Sequence, residues 1–227
     1  MDQSMDKELF VSVMRSGVSP EERAEHEETI GIIKGDLGKE VNPRIRMKML
    51  ERMAHSLCAL ECFGDAVEAL EREARDPAMA EVKAWAIFLQ GKVCEQAKEY
   101  QSAADYYVKA LAEPNLNELD LFYRMANFSS IKYFLFNNAG FCFNYLREFK
   151  KADYYCNHAI SISPSAYNAW KNLGVSLEHQ ARYADAALCY LRAAHLSNGE
   201  ARSAAHLSRL LERHPELKAD RNIFKAN

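Results

Sequence analysis

The chain has 227 residues and a formal net charge of −3, from 29 basic and 32 acidic side chains. That length suits one or two ordinary domains or one short repeat array, and the near-neutral balance argues against bulk binding to nucleic acid or anionic membrane. No apolar run reaches the roughly 20 residues a bilayer span needs, and residues 1–15, with Asp2, Asp6 and Glu8, do not read as a signal peptide.

Six cysteines, Cys58, Cys62, Cys94, Cys142, Cys156 and Cys189, sit inside helical patterns with no framework spacing. They read as reduced packing residues of a cytoplasmic protein. The 9 Gly and 6 Pro fall near turn positions, which fits an all-α chain.

In residues 1–18, Leu9, Val13 and Met14 either line one face of a short helix or belong to a frayed terminus. Ser19–Pro20 is a helix start, with Ser as N-cap, Pro at the first helical position and Glu21 and Glu22 in the first turn. That helix carries Ala24, Ile30, Ile33 and Leu37 and is expected to stop near Gly38; Asn42–Pro43 opens the next.

From Met47 an internal pattern begins. Ala54, Phe63, Ala66 and Leu70 stand 37 residues before Gly91, Tyr100, Ala103 and Tyr107. Residues 47–80 therefore read as a degenerate repeat of 84–117, with three residues inserted near Asp76–Pro77. Glu73 is out of place where a small residue is expected, and so is Gln90 where Leu173 stands later. Gly91 to Gly140 is 49 residues, fifteen more than the later period, and the extra segment carries Leu119, Phe122, Met125, Ala126, Phe128 and Ile131. With no Gly or Pro between Glu118 and Ala139, the spacing predicts one long helix from about 118 to about 146. The alternative is a separate short helix broken at Ser129–Ser130.

Residues 133–166 and 167–200 align without a gap, every pair 34 residues apart: Phe136 with Trp170, Asn138 with Asn172, Gly140 with Gly174, Ala152 with Ala186, Cys156 with Tyr190. Gly and Ala at fixed places let two helix backbones approach, while large residues fill the space beside them. After 200 the register continues for one helix, 201–213, whose Arg202, Arg209, Glu212 and Arg213 suit the polar outer face of a solenoid cap. His214–Pro215 ends it, and 216–227 reads as a tail.

A 34-residue period with Trp170, Leu173, Gly174, Leu177, Ala186, Tyr190 and Ala193, matched by Phe136, Ala139, Gly140, Phe143, Ala152, Ala159 and Pro164, resembles the tetratricopeptide repeat (TPR) family. Leu177 and Phe143 replace the family's usual Tyr, and Asn198 its usual closing Pro. The resemblance implies an all-α, right-handed α-solenoid of stacked helix–turn–helix repeats with a C-terminal capping helix. Residues 1–46 form an N-terminal helical segment and 47–215 the array.

The resemblance also implies a concave groove lined by the first helix of each repeat. Carried over by position, the family rule places Trp85, Phe88, Leu89 and Lys92 there, then Phe134, Asn137, Asn138 and Phe141, then Asn168, Lys171, Asn172 and Val175, with Arg202, Ala205 and His206 from the cap. Tyr145, Glu178 and His179 lie one turn deeper. Asn amides bond an extended backbone both ways, aromatics hold side chains and cations attract a carboxylate. The competing expectation is that the aromatics pack on the inserted segment or N-terminal helix and that Asn138 and Asn172 bond neighbouring helix backbones and merely stiffen the array. Some family members clamp the C-terminal carboxylate of chaperone tails with Lys, Asn, Asn, Lys and Arg. Asn172 and Arg202 fit two of those places, but Asn137, Phe141 and His206 stand where Lys, Asn and Arg are needed.

No phosphate loop, GxSxG, HExxH or CxxC is present, so the chain reads as non-enzymatic and without a cofactor. His55, Cys58 and Cys62 share a helical spacing, but no fourth ligand is evident and no metal is expected. The expected function is a protein-binding scaffold or adaptor for a peptide or partner segment, with an acidic segment or free C-terminus favoured and neither nucleic acid nor membrane insertion involved. The alternative is a self-assembling subunit, such as a homodimer, or a TPR-type secretion chaperone or co-chaperone.

Overall fold

In the computed structural model the structure describes residues 18–125, 129–197 and 201–219. Within them are eleven α-helices and no strand. They are α1 (Pro20–Leu37), α2 (Pro43–Ala59), α3 (Phe63–Ala74), α4 (Lys83–Gln96), α5 (Tyr100–Leu111), α6 (Leu116–Met125), α7 (Ile131–Tyr145), α8 (Phe149–Ile162), α9 (Tyr167–His179), α10 (Tyr183–Leu196) and α11 (Ala201–Arg213). The expectations for residues 1–17, Ala126, Phe128 and Asn198 lie outside the described residues.

The first two helix starts follow from capping chemistry. Ser19 and Glu22 form a reciprocal capping box on α1, and Asn42 accepts the Arg44 and Ile45 N–H groups above Pro43 on α2. Pairs then stack in sequence, α2 with α3, α4 with α5, α7 with α8 and α9 with α10, and α11 closes on α10. Each pair turns through one residue in the left-handed region: Glu61, Lys98, Arg147 and Ala181, at φ 61°, 63°, 61° and 59°. Beyond each, an N–H reaches back to close the preceding helix, from Cys62 to Leu57 at 2.8 Å and from Glu99 to Cys94, Glu148 to Phe143 and Arg182 to Leu177 at 2.9 Å. This is the Schellman closure, here made without glycine. The four turn residues stand at the same intervals as Ala54, Gly91, Gly140 and Gly174.

The small residues sit where the helices of a pair touch. A Cβ on Gly91 or Gly174 would meet the ring of Tyr107 or Tyr190 at 2.6 Å, and one on Gly140 would meet Cys156 Sγ at 2.5 Å. Both tyrosines are fully buried, and each hydroxyl donates to the glutamate twelve residues before it: Tyr107 to Glu95 at 2.7 Å, Tyr190 to Glu178 at 2.8 Å. In the pair between them Cys156 replaces Tyr and Asn144 replaces Glu. Cys156 has no hydroxyl to offer, and Asn144 donates instead to the Asn172 carbonyl at 2.8 Å.

Adjacent pairs are joined by ring stacking. The first residue of α5, α8 and α10 meets the end of the next first helix or the residue just past it: Tyr100 on Tyr145 (4.2 Å), Phe149 on His179 (4.8 Å), Tyr183 on His214 (3.7 Å). Glu73, the misfit of the sequence pattern, is buried against Arg46 of α2, which also binds Asp76 at 2.8 Å. The pair explains why a charge is tolerated in a small-residue place: both ions are matched. Asp76 then accepts the Ala78 N–H and starts a 3-10 helix, Pro77–Val82, which takes up the inserted residues.

The single long helix expected from about 118 to 146 does not form. α6 ends at Met125, and Ser130 is the N-cap of α7, accepting the Tyr133 N–H at 3.2 Å. Asp120, buried on α6, folds back on this start by accepting the Ser130 hydroxyl at 2.7 Å and the Lys132 N–H at 3.1 Å. Leu121 and Phe122 are 57% and 40% exposed, and Arg44 lies over the Phe122 ring at 3.9 Å. Residues 216–219, expected as the start of a tail, belong to a 3-10 helix, Pro215–Ala219, whose Leu217 is buried in the C-terminal core.

Candidate functional site

The first helices α2, α4, α7, α9 and α11 carry the groove positions. At α4 those positions are filled. Trp85, Phe88 and Leu89 are all buried; Trp85 stacks on Tyr123 of α6 at 5.1 Å, and the Tyr123 hydroxyl reaches Met47 Sδ of α2 at 3.6 Å. The inserted helix therefore lies against α2 and α4 at the positions expected to line a groove, and Trp85 packs on the inserted segment. Phe88 passes this cluster on to Phe134 of α7 (6.5 Å), which is partly buried beside Tyr133.

Beyond Phe134 the surface becomes polar. Asn172 Nδ2 donates to Asn137 Oδ1 at 3.1 Å, and Asn137 Nδ2 donates to Asn138 Oδ1 at 3.0 Å. The Tyr107 hydroxyl of α5 donates to Glu95 of α4 at 2.7 Å, and Glu95 pairs with Lys92 at 3.0 Å. One row of hydrogen bonds thus runs from α9 to α7, and a second joins α5 to α4. The amide rung joins Asn172 to Asn137 and not to Asn138, its counterpart in the repeat register. Asn137 and Asn172 are buried and Asn138 is half-buried. The bonds run to neighbouring side chains, not to neighbouring helix backbones.

On the α9 side Lys171 is half-buried and donates to Asn168 Oδ1 at 3.1 Å. Arg202 on α11 is exposed, and His206 is half-buried, stacked on Tyr190 at 5.0 Å with Arg209 beside it at 3.2 Å. Phe141 is half-buried between Tyr100 (6.1 Å) and Tyr145 (4.8 Å), and Tyr145 is 57% exposed. Tyr145 and His179, expected one turn deeper in the groove, are the rings that join successive pairs. Glu178 holds the Tyr190 hydroxyl and binds Arg213.

The sequence pattern gave no sign of this hydrogen-bond row. Its register is 35 residues, because the side chains lean toward the preceding turn of their helices. The Tyr107 and Tyr190 hydroxyls, bonded to Glu95 and Glu178, were visible only as rings at core positions.

Elsewhere the chemistry is quiet. Burial pushes the Cys58 thiol up to about 12 and Cys94 up to about 11, so neither is a thiolate near neutrality. His55 lies 6.2 Å from His26 edge to face, and burial lowers its pKa. No group of three His, Cys, Asp or Glu with metal-binding geometry occurs among the described residues. No described helix is long and apolar enough to cross a membrane.

No protein-family model and no curated protein matches the chain. Solved structures do. BtubC (BKLC) from P. vanneervenii aligns over 92% of this chain and 89% of its own, with a TM-score of 0.68 at 15% identity. MamA 41-end from Desulfovibrio magneticus RS-1 aligns over 79% of this chain and 91% of its own, at 0.60 and 14%. The first TPR of Spaghetti (RPAP3), bound to the HSP90 peptide SRMEEVD, aligns over 60% of this chain and 95% of its own, at 0.50 and 18%.

Proposed function

We propose that this chain, whose fold is that of a tetratricopeptide-repeat solenoid, is a non-enzymatic scaffold that holds an extended peptide in the C-terminal half of its groove, along α7, α9 and α11. The observation that carries the reading is the row of linked amides from Asn172 to Asn138. It sets fixed donors and acceptors on two stacked helices, α7 and α9, so a bound backbone meets groups already ordered and loses less freedom on binding. Asn137 and Asn172 position the row. Asn138, half-buried at its end, and Asn168 present amide groups to the ligand. Phe141 offers an apolar contact, and Lys171, Arg202 and His206 add positive or polar groups that favour an acidic segment or a free C-terminus.

The N-terminal half of the groove is a poorer receptor, because Tyr123 already covers Trp85. The RPAP3 repeat bound to the HSP90 peptide SRMEEVD, which is acidic, supports the same ligand class. Six free thiols support a reducing compartment, and we place the protein in the cytoplasm.

The test is a library of random decapeptides with free C-termini, followed by fluorescence anisotropy on the enriched sequences. Enrichment of acidic peptides, with affinity falling tenfold or more in Lys171→Ala/Arg202→Ala at an unchanged melting temperature, is the expected result. No enrichment, or binding indifferent to that pair, overturns the reading.

A further inference from the structure

The two ends of the array carry helix faces that point away from their neighbours, and these faces have opposite charge. α1 packs on α2 through Ile30, Ile33 and Leu37, with His26 bonding Ser56 at 3.2 Å. On a helix of 3.6 residues per turn the opposite face carries Glu21, Ala24, Glu28, Gly31 and Gly35, flanked by Glu25 and Ile32. All of these are exposed, Ile32 to 59%. The first nine residues of α1 hold five exposed glutamates and one arginine. At the other end α11 packs on α10 through Leu210 and Ser203, both fully buried. Its opposite face carries Ala205, Ser208 and Glu212, edged by Arg202, Arg209 and Arg213, all exposed.

From this we infer that α1 of one copy docks on α11 of a second copy, so that the chain associates head to tail. Charge complementarity selects this occupant. An α1–α1 contact would set glutamates against glutamates and an α11–α11 contact arginines against arginines, whereas α1–α11 pairs them. The short side chains at Ala24, Gly31 and Gly35 on one face and Ala205 and Ser208 on the other let two helix axes come within about 8–10 Å. A Cβ added at Gly31 or Gly35 would meet nothing within 4 Å, so among the described residues these glycines take no part in the chain's own packing. Such a contact is heterologous: each copy uses one end and leaves the other open, so growth does not stop at a dimer unless the rotation closes a ring. The inference rests on the ends of the array; it shares Arg202 and Ala205 with the cap end of the proposed groove but does not need a peptide to bind there.

The experiment is sedimentation velocity on the full chain across a concentration series, in low and high salt. Two charge-reversed variants avoid the proposed groove residues: Glu21→Lys/Glu25→Lys/Glu28→Lys, and Ser208→Glu/Arg209→Glu. The wild type is expected to grow past dimer with concentration and to fall back toward monomer in high salt, since exposed charges are screened beyond about 8 Å at physiological ionic strength. Each variant alone is expected to be monomeric, and their equimolar mixture to associate again, because each supplies the complement the other lost. A wild type that is monomeric at every concentration overturns the proposal. So does a dimer that neither variant disturbs, or association that high salt leaves unchanged. The salt series needs no variant, so misfolding of either one leaves the test standing.

Discussion

Asn172 of α9 and Asn137 of α7 meet side chain to side chain at 3.1 Å, both buried, although the repeat register pairs Asn172 with Asn138. The rung fixes the spacing of two neighbouring first helices. It also turns Asn137 so that its own amide hydrogen reaches Asn138. Removing either partner leaves the other unsatisfied in a buried place. Asn137→Ala and Asn172→Ala are each expected to lose about 1–3 kcal/mol in urea denaturation. Asn138→Ala, half-buried, should lose less stability and more peptide affinity. Equal stability losses at all three positions would make the row purely structural.

Gly91 and Gly174 face tyrosine rings at 2.6 Å from a would-be Cβ, with the rings fully buried on the far side. The rings have no free direction to move. Gly91→Ala and Gly174→Ala are expected to cost about 1–3 kcal/mol by overpacking, and the larger Gly174→Leu more. Gly31→Ala on the outer face of α1 is the control, and it should be neutral or slightly stabilising because a helical Gly is about 0.5–1 kcal/mol worse than Ala. A Gly174→Ala melting temperature equal to that of the control would contradict the close packing.

Gln90 is 1% exposed, and neither its Oε1 nor its Nε2 has a hydrogen-bond partner among the described residues. The corresponding residue of the later pair is Leu173, which is buried in the C-terminal core. Gln90→Leu removes two unsatisfied atoms at similar volume, so a gain of about 1–3 kcal/mol is expected. A loss on thermal denaturation would mean that the amide has a role in the fold.

The buried thiols set an alkaline limit. Burial lifts Cys94 to about 11 and both Cys58 and Cys189 to about 12, while an unfolded thiol ionises near about 8.5. Above that pH the unfolded chain gives up protons that the folded chain keeps. Their contribution is therefore fully present below about 8.5 and is lost as the pH rises toward the folded values. The melting temperature is expected to fall steadily between about pH 8.5 and 11. A flat profile there would contradict the burial of these thiols.

The repeat architecture was readable because it is written in backbone needs. Gly91, Gly140 and Gly174 mark close helix contacts, and those contacts recur at the spacing of the chain. The break before α7 was not, although Ser129–Ser130 stood in plain view. A serine inside an apolar run reads equally as a tolerated helix residue, and only the Asp120 carboxylate folding back onto Ser130 decides for a cap. The groove positions carried a similar ambiguity. Periodicity assigns a residue to a face but not the direction of its side chain, so the 35-residue rung from Asn172 to Asn137 was hidden behind the 34-residue register. The cover of Tyr123 on Trp85 depends on where an insertion folds, which no repeat pattern encodes.

The central claim is that the ligand lies along α7, α9 and α11, and hydrogen–deuterium exchange tests it most directly. The full chain would be compared with and without a saturating acidic decapeptide from the library. Slowed exchange confined to α7, α9 and α11, with α8 and α10 unchanged, is the predicted result. Protection on α8 and α10, on the exposed side of α6, or nowhere at all would contradict it.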